Sequence, residues 1–259
     1  MAYHDIKTEN NNFLYFVNKT DPTTDPHFHS SSEFLFVKNG DILVTSNGET
    51  RILHSGDACF SPEFSVHSYY KHSKEPVDIY VLLCQKNYTD RLFNLFNKQQ
   101  PPTFFTFDDY EFLEYFLKQC TQNYASEDIR QKLVEGFLQI LYTKVAVSVE
   151  FVPKKLEKQG ELFCDILRFA NDNYNKDLSL EVLSRHFGYA RESISRIIHK
   201  HLSESWNSYV NRLRIFHANR ILVKNPNKTV LEVAYDCGFN NTKSFYKTYK
   251  EEFGHPPRT

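Results

Sequence analysis

The sequence predicts an α+β multidomain protein with an N-terminal all-β domain, a central helical segment and a C-terminal all-α domain containing two helix-turn-helix motifs. Residues 13–84 form short aromatic and β-branched runs separated by hairpin signals. Two amphipathic helical patterns lie between residues 108 and 147, and a helix–glycine–helix unit occurs twice between residues 179 and 253. The predicted domain boundaries are 1–95, 96–152 and 153–259.

Length and composition set the outer limits of this prediction. The 259 residues are 41% hydrophobic, enough to bury two cores, which excludes a disordered protein. The net charge of −1 conceals an asymmetry, because residues 161–259 carry 15 Lys and Arg against 11 Asp and Glu, while residues 1–160 carry 16 against 21. The helical half is therefore the basic half, as expected of a DNA-binding domain, although the excess is small and the placement of charge matters more.

Cysteine spacing and the N-terminal sequence indicate in which cellular compartment the protein acts. The five cysteines form no C-x-x-C pair, which indicates buried thiols and argues against a zinc knuckle or a disulfide framework. The N-terminus lacks an apolar signal region, and no segment is long enough to span a bilayer. The sequence thus predicts a cytoplasmic protein that makes no membrane contact.

The N-terminal domain is predicted from its short strands. The runs at 34–37, 41–45, 50–53 and 79–83 are rich in Phe, Val, Ile and Leu. Asn-Gly and Ser-Gly-Asp sequences, which are hairpin and turn signals, separate them. Many short strands at regular spacing imply a closed or sandwiched all-β domain.

Polar residues with a defined spacing lie within these strands. The pattern consists of His27, His29, Glu33, Gly40, Gly56, Pro62 and His67, with Phe64 and Lys71 at two further positions. It resembles the two motifs of the cupin barrel, in which glycine and asparagine occupy the positions of Phe64 and Lys71. Because residues two apart on a strand face the same way, His27 and His29 can converge with Glu33 and His67 inside a barrel. In metal-binding cupins these four positions hold the ion.

The helical segment follows Pro101-Pro102. The first pattern, at residues 108–122, has an apolar stripe that includes Phe112 and Phe116, and the second covers residues 126–147. The predicted stripe of the second helix consists of Ile129, Leu133, Phe137, Ile140 and Leu141. Such apolar helices need a cover, which could be the barrel or a second subunit. Residues 154–160 are polar and are predicted to link the domains.

The duplicated unit predicts two helix-turn-helix motifs. The run from Ser179 to Ser184 corresponds to that from Thr229 to Ala234, and Gly188 corresponds to Gly238, at an offset of 50 residues. A glycine at this turn suits a left-handed backbone, and the sequence beginning at Thr229 fits a capping box. Each copy is therefore predicted to be helix, glycine turn, helix.

The second helix of each copy carries a polar face opposite its apolar stripe. The outward residues are Glu192, Ser195, Arg196 and His199 in the first copy, and Lys243, Tyr246, Lys247 and Lys250 in the second. Such polar faces suit contacts with base edges and phosphates. Residues 206–224 between the copies form an amphipathic segment about 30 Å long as a helix, close to the ~34 Å of one DNA turn.

These motifs resemble a specific family. The segments Arg196-Ile-Ile-His-Lys200, Arg220-Ile-Leu222 and Val233-Ala-Tyr-Asp-Cys-Gly-Phe239 are similar to the DNA-binding domain of AraC/XylS-type bacterial transcription regulators. The match covers about residues 161–257. The chain ends soon after the Gly-x-x-Pro motif, where family members usually continue with an aromatic residue and Arg. The resemblance implies DNA contacts by Arg191, Glu192, Ser195, Arg196, Thr242, Lys243, Tyr246 and Lys247.

The resemblance also implies the mode of action. Regulators of this family often carry cupin-like sensor barrels, so His27, His29, Glu33 and His67 are predicted to contact a small-molecule effector. We expect no cofactor; a divalent metal at the same four residues is the alternative. The implied partners are double-stranded DNA, an effector such as a sugar, a second copy of the chain and, for an activator, RNA polymerase. The alternative function is a cupin metalloenzyme, a dioxygenase or isomerase, with an accessory DNA-binding domain; no catalytic residues are assigned.

Overall fold

The chain folds into two compact units. The computed structural model describes residues 2–5, 14–153, 158–225 and 227–257. One unit is Asn11–Glu157, and the other combines Met1–Asn10 with Lys158–Thr259. The start of the chain therefore groups with the helical C-terminal unit, although the sequence placed residues 1–95 together. Of the predicted linker, residues 154–157 lie outside the described part, and from Lys158 onward the chain is helical.

Short strands make up most of the N-terminal unit. In chain order, the strands are β1 (Tyr3–His4, in the C-terminal unit), β2 (Leu14–Thr20), β3 (Thr23–Phe28), β4 (Ser32–Asn39), β5 (Ile42–Ser46), β6 (Glu49–Leu53), β7 (Asp57–Ser61), β8 (His67–Lys71), β9 (Asp78–Cys84), β10 (Gln99–Gln100), β11 (Phe104–Thr106) and β12 (Val152–Pro153). The four strands predicted individually, now β4, β5, β6 and β9, are confirmed.

Two antiparallel sheets face each other in this unit. One has the strand order β11-β7-β4-β9-β2, and the other contains the order β3-β8-β5-β6. Gly40 begins the β4–β5 turn with φ +78°, and a Cβ there would lie 2.8 Å from the carbonyl oxygen of Pro76. Only glycine fits at this position, which explains one motif glycine physically.

Alternation along the strands divides the apolar side chains between two cores. On β4, Leu35 and Val37 point between the sheets, where they meet Ile42 and Val44 of the opposite sheet. Phe34 and Phe36 point to the outer face, where they meet side chains of the helical segment. The predicted helices therefore find their cover on the outer face of the sheet that contains β4.

The described residues of this unit include three helices: α1 (Lys86–Leu95), α2 (Tyr110–Thr121) and α3 (Glu127–Ser148). The last two confirm predicted helices, whereas α1 was not predicted. The predicted stripe of α3 is confirmed in part. Leu141 is buried and Phe137 packs against the core, as predicted, but Ile129 and Ile140 are 52% and 47% exposed. The residues of α3 that enter the core are Val134, Leu138, Leu141, Tyr142 and Val145.

The C-terminal unit is helical. Its helices are α4 (Lys158–Asp172), α5 (Leu180–Phe187), α6 (Arg191–His201), α7 (Trp206–Lys224), α8 (Val230–Asp236) and α9 (Thr242–Phe253). The segment predicted between the two copies is helix α7 with the same bounds. One core of this unit joins the C-terminal half of α7 to α8 and α9. The buried residues of this core include Leu222, Val233, Phe245 and Tyr249.

The first described residues of the chain pack against the first helix-turn-helix copy. The Ala2 amide donates to the carbonyl of His201, and the Ser203 amide donates to the carbonyl of Ala2, both at close to 3 Å. His4 is fully buried and stacks on Tyr209, with ring centroids 5.5 Å apart. This segment is therefore an integral part of the C-terminal unit.

The cysteines match the sequence prediction. All five are free, and only Cys120 is partly exposed. Burial raises the pKa of Cys59 and of Cys237 to about 12. These thiols are protonated at neutral pH and act as small apolar side chains.

Candidate DNA-binding surface and histidine cluster

The first helix-turn-helix is defined by its caps. The Ser179 side chain accepts a hydrogen bond from the Val182 amide at the start of α5, and Gly188 ends that helix with φ +71°. Helix α6 follows with Ile194 and Ile198 buried. A left-handed glycine between two short helices is the predicted turn, and it is confirmed.

The second copy repeats this arrangement with stronger capping. Thr229 and Glu232 form a reciprocal capping box at the start of α8. Gly238 follows that helix with φ +85°, and a Cβ there would lie 2.8 Å from the carbonyl oxygen of Asn175. On α9, Phe245 and Tyr249 face the core.

The predicted DNA-contact residues all lie on the two second helices. On α6, Glu192 and Arg196 are exposed and Ser195 is half-buried. On α9 the exposed residues are Lys243, Tyr246 and Lys247, and Thr242 is half-buried. The structure therefore assembles two polar faces as predicted, and their contacts with DNA remain a prediction.

Ion pairs distinguish the members of these faces. Arg191 Nε lies 2.6 Å from Glu181 Oε1, so its guanidinium ties α6 to α5. Lys247 Nζ lies 3.8 Å from Glu251 one turn further along α9. An exposed pair at this distance is weak and can exchange for a phosphate.

Sequence reasoning missed two structural arginines in this unit. Arg214 donates from Nε to the Tyr174 carbonyl at 2.7 Å and from Nη2 to the Lys176 carbonyl at 2.8 Å. Arg212 donates to the His4 carbonyl at 2.9 Å. Their partners are distant in sequence, so no local pattern could have indicated these contacts.

The second site is a cluster of three histidines and one glutamate in the N-terminal unit. His27 lies on β3, Glu33 on β4, His67 on β8, and His29 just before β4. One ligand atom from each residue can be chosen so that all four lie within 4.8 Å of one another. None of the four residues is more than 4% exposed. The predicted convergence is therefore confirmed.

Backbone hydrogen bonds orient the three imidazoles. The Nδ1 atoms of His27, His29 and His67 lie 2.7–2.9 Å from the carbonyl oxygens of Asp25, Ser31 and Ser65. Because a carbonyl only accepts, each Nδ1 carries a proton, so Nε2 is the nitrogen with the lone pair when the ring is neutral. Among the described residues, buried Nε2 of His67 has no hydrogen-bond partner and lies 3.6 Å from Glu33 Oε2.

The electrostatics of the cluster favour a neutral His27 beside an ionised Glu33. Burial and the neighbouring His67 lower the pKa of His27 to about 3. Burial by itself would raise the pKa of Glu33, but His67 and His29 hold that pKa well below its usual range. Neutral imidazole nitrogens and an ionised carboxylate are ligands for Zn²⁺ and similar divalent ions.

The loop before His67 is strained. Phe64, at the position where the cupin motif has glycine, adopts φ +58° and is 2% exposed. Its amide donates to the His29 carbonyl at 2.8 Å. A buried aromatic residue thus occupies a backbone conformation that normally favours glycine, at a cost of about 1–2 kcal/mol.

No described helix is both long enough and apolar enough to cross a bilayer.

Comparison with family models supports both halves of this description. A helix-turn-helix domain model matches residues 183–259, and a cupin domain model matches residues 14–83. The first match begins within α5 and includes both polar faces. The second includes all four residues of the histidine cluster.

Curated relatives extend the match over most of the chain. The transcriptional activator RhaS of Enterobacter sp. (strain 638) is 23% identical over 90% of this chain and 85% of its own length. RhaS of Mannheimia succiniciproducens is 24% identical over 90% and 87%. The transcriptional regulator GbdR of Pseudomonas aeruginosa (strain UCBPP-PA14) is 33% identical, over 36% of this chain and 25% of that protein.

A solved structure shares the fold. A lysine-to-alanine variant of apo ToxT from Vibrio cholerae strain SCE256 aligns over 96% of both chains, with a TM-score of 0.51 and 12% identity. At this identity the likeness concerns the fold alone. The two domain matches and the relatives that span both domains lead to one assignment: the chain belongs to the AraC/XylS-type transcription regulators, with a cupin domain at its N-terminus and a helix-turn-helix DNA-binding domain at its C-terminus.

Proposed function

We propose that this regulator reads two successive major grooves, one with α6 and one with α9. The observation that carries the proposal is the pair of outward polar faces within one compact unit, connected through α7. Helix α7 has 19 residues and is therefore about 28 Å long, close to one DNA turn. We propose that it acts in the cytoplasm, where a bacterial regulator meets DNA.

Selection of binding sites from random DNA by the purified full chain tests this proposal. We expect two recognised elements about 10–10.5 base pairs apart, which is the spacing of successive grooves on one DNA face. Arg196→Ala should relax the base preference in one element only. A single element, or a loss of preference spread over both, would contradict the assignment of one groove to each helix.

For the histidine cluster we propose a bound divalent cation, the alternative to the metal-free barrel expected from the sequence. When bound, such an ion would offset the negative charge of Glu33 and would link the three strands that carry its ligands. Three observations support it: the ligand atoms converge within 4.8 Å, the Nδ1 hydrogen bonds turn each Nε2 lone pair away from the backbone, and His67 Nε2 lacks a hydrogen bond among the described residues. An organic effector at these residues is less consistent with exposures of 1–4%.

Metal analysis of the full chain distinguishes these cases. We expect about one Zn²⁺, Mn²⁺ or Ni²⁺ per chain after loading and dialysis, and a loss of thermal stability with chelator. Glu33→Gln should lower metal content, whereas Glu49→Gln, which changes an exposed carboxylate, should not. A chain that retains no metal and is indifferent to chelator would refute the cation.

We further propose that the cluster has no catalytic role. The metalloenzyme alternative requires a substrate to reach the cluster, and its four residues are at most 4% exposed. The curated relatives that cover most of the chain are named as transcriptional activators, which supports activation through RNA polymerase. Transcription in vitro with purified polymerase tests activation, and turnover of candidate substrates by the metal-loaded chain would revive the enzyme.

We propose that a small-molecule effector controls this activity from the N-terminal unit. No described side chain selects a sugar over other small molecules. The test is a screen of small molecules for a change in operator affinity of the full chain. A response retained after deletion of residues 14–153 would place the effector elsewhere.

We also propose that two chains pair through α3. The exposed apolar residues Ile129, Ile140 and Val147 lie on one helix face, and this face continues through half-buried Leu133 and exposed Gly136. Successive residues of this face, at positions 129, 133, 136, 140 and 147, are four, three, four and seven positions apart. This spacing matches the seam of a helix pair. A Cβ on Gly136 would meet nothing within 4 Å, so nothing within the described chain requires glycine there. Close approach by a second α3 would explain it.

Light scattering of the full chain tests this pairing. Ile140→Glu should reduce the dimer fraction without unfolding the monomer, because Ile140 lies outside the core. By contrast, Phe137 stacks on Phe116 with centroids 5.0 Å apart, so a charge at Phe137 would also damage the monomer. Lys132→Glu, on the same helix but outside the stripe, is the control. A monomeric wild-type chain, or an Ile140→Glu variant that remains dimeric, would contradict the proposal.

A further inference from the structure

The space between the two sheets of the N-terminal unit contains closely packed apolar side chains. Leu35, Ile42 and Val44, which come from facing strands, are at most 2% exposed. Because protein interiors are close-packed, an organic effector between the sheets would have to displace such side chains. The ligand atoms of the histidine cluster already lie within 4.8 Å of one another, so an ion can be held there without that displacement. The interior therefore suits an ion better than an organic molecule.

A series of hydrogen bonds leads from His67 towards the surface. The Nδ1–H of His67 donates to the Ser65 carbonyl at 2.8 Å, and the Ser65 hydroxyl donates to Oδ1 of Asn47 at 2.9 Å. Nδ2 of Asn47 donates in turn to Oγ1 of Thr103 at 3.2 Å. Ser65 is 4% exposed, whereas Asn47 and Thr103 are half-buried. This series, here named the Ser65 relay, links the buried cluster to the turn between β5 and β6 and to the residue that precedes β11.

Asn47 is the central residue of the relay. Both ends of its side-chain amide are engaged, Oδ1 as an acceptor and Nδ2 as a donor, so the amide has one orientation. Its backbone adopts φ +53°, a left-handed conformation that asparagine tolerates better than most residues. This conformation suits the two-residue Asn47-Gly48 turn of the hairpin. A glycine at this position would satisfy the backbone but would interrupt the relay.

The relay ends beside the last described residues of the N-terminal unit. Asn47 and Thr103 line one surface groove together with Val152 and Pro153 of β12. From Pro153 the chain continues to the C-terminal unit, whose described residues resume at Lys158. A shift of Asn47 or Thr103 would therefore be felt next to the segment that connects the two units.

We propose that the divalent cation of the histidine cluster is itself the effector of this regulator, and that the Ser65 relay transmits its binding towards the DNA-binding unit. The inference rests on the cation proposed above. Coordination through Nε2 of His67 would make the opposite Nδ1–H a stronger donor and would hold the Ser65 carbonyl more firmly. The Ser65 hydroxyl would then transmit the change to Asn47. The ligand class is a divalent cation that imidazole and carboxylate bind, such as Zn²⁺, Mn²⁺ or Ni²⁺.

Zinc binding and DNA binding by the full chain, measured together, test the proposal. The DNA probe is the sequence that the chain selects from random DNA. We expect the zinc-loaded and chelated chains to differ about tenfold in affinity for this DNA. Coupling between two sites is reciprocal, so the DNA complex and the free chain should differ by the same factor in affinity for zinc. A cation that only stabilised the N-terminal unit would change neither affinity.

Three results separate the effector role from the cation itself. A chain that retains no zinc would refute the bound cation and the effector role together. A chain that retains about one zinc ion but binds DNA equally well with and without it would refute the effector role alone. Glu33→Gln removes a charged ligand of the cluster and should abolish the zinc-dependent difference in DNA affinity. A difference that persists in this variant would place the responsive zinc elsewhere and would also refute the proposal.

Variants of the relay test the transmission. Asn47→Gly removes the side chain but permits the left-handed backbone, so the variant should retain about one zinc ion while the tenfold coupling falls below about twofold. Thr103→Val removes the acceptor Oγ1, keeps the β-branched shape and should have the same effect. Asn97→Gly is the matched control, because Asn97 has φ +54° and is exposed outside the relay. Full coupling in Asn47→Gly or in Thr103→Val would refute the relay. Loss of zinc from Asn47→Gly would refute it too, because Asn47 would then support the metal site instead of transmitting its occupancy.

Discussion

The two helix-turn-helix copies share a plan but differ in charge. The outward residues of α6 include Glu192, Ser195 and Arg196, a mixed set of donors and acceptors. Those of α9 include Lys243, Lys247 and Lys250, which are all cationic. Mixed polar groups discriminate between base edges, whereas lysines bind phosphates as point charges. From this difference we propose that the first copy contributes more to sequence preference and the second more to affinity.

The copies also differ in what holds them in place. Ala2 and His4 brace the first copy by hydrogen bonds and stacking near the end of α6 and on α7. In the second copy, Gly238 packs closely against the backbone of Asn175. A repeated local pattern is thus completed by two unrelated long-range contacts. Each contact can be broken separately.

The largest expected effect comes from Gly238→Ala. Its φ of +85° costs an L-residue about 1–2 kcal/mol, and a Cβ 2.8 Å from the Asn175 carbonyl oxygen adds about 1–3 kcal/mol of overpacking. Gly188→Ala, at φ +71° with no atom within 4 Å, should cost only the first amount. Chemical denaturation of the two variants gives the difference. Equal losses of stability would show that the Asn175 contact is not restrictive.

Removal of residues 2–5 should come next, at about 2–3 kcal/mol of the stability of the C-terminal unit. The deletion removes two backbone hydrogen bonds, the stacking of His4 and an acceptor of Arg212. The same deletion in an Arg212→Ala background should cost less, because the two changes share one contact. Urea denaturation measures the loss of stability for each change alone and for both together. If the two losses simply add, the hydrogen bond from Arg212 to the His4 carbonyl does not contribute to stability.

Replacement of one residue on each recognition face tests the charge comparison. Arg196→Ala should cost about 1–3 kcal/mol at the specific site and relax the preference at one base pair. Lys247→Ala should affect specific and random DNA more evenly and reduce the slope of log K against log salt by about 0.9. Fluorescence titrations at several salt concentrations measure both quantities. If the two variants exchange these signatures, the division of roles is reversed.

The smallest effects concern the caps of the two first helices. Thr229→Ala should cost about 1–2 kcal/mol because it removes a reciprocal capping box. Ser179→Ala should cost less, since its cap hydrogen bond from the Val182 amide is 3.4 Å long. Thermal denaturation compares the two. A greater loss for Ser179→Ala would contradict the ranking.

The capping box also predicts a pH dependence. Hydrogen bonds from the Thr229 amide and hydroxyl lower the pKa of Glu232 from its ordinary value of 4.5. Because the folded-state pKa is the lower one, this contribution is present above pH 4.5 and is lost as the pH falls through the folded-state pKa. In Glu232→Gln, the decline in stability below about pH 4.5 should be shallower. An unchanged decline would exclude a role for this carboxylate.

Local chemistry determined much of this protein from the sequence alone. The glycine turns, the capping box and the bounds of α7 follow from short-range preferences, and each is found where predicted. The convergence of His27, His29 and Glu33 with His67 was predictable because strand alternation and a familiar spacing fix which residues share an interior. Both kinds of signal depend on neighbours within a few residues or on a recognisable motif.

Only the tertiary structure decided the rest. On α3, a helical repeat of about 3.6 residues per turn permits two adjacent apolar stripes. Packing against the β4 sheet selected the stripe containing Val134 and Leu138 over that containing Ile129 and Ile140. The docking of Ala2 near the end of α6 and the burial of the Tyr142 hydroxyl involve groups far apart in the chain. Contacts of this kind leave no periodic trace, because they depend on how completed elements pack and not on the preferences of any one segment.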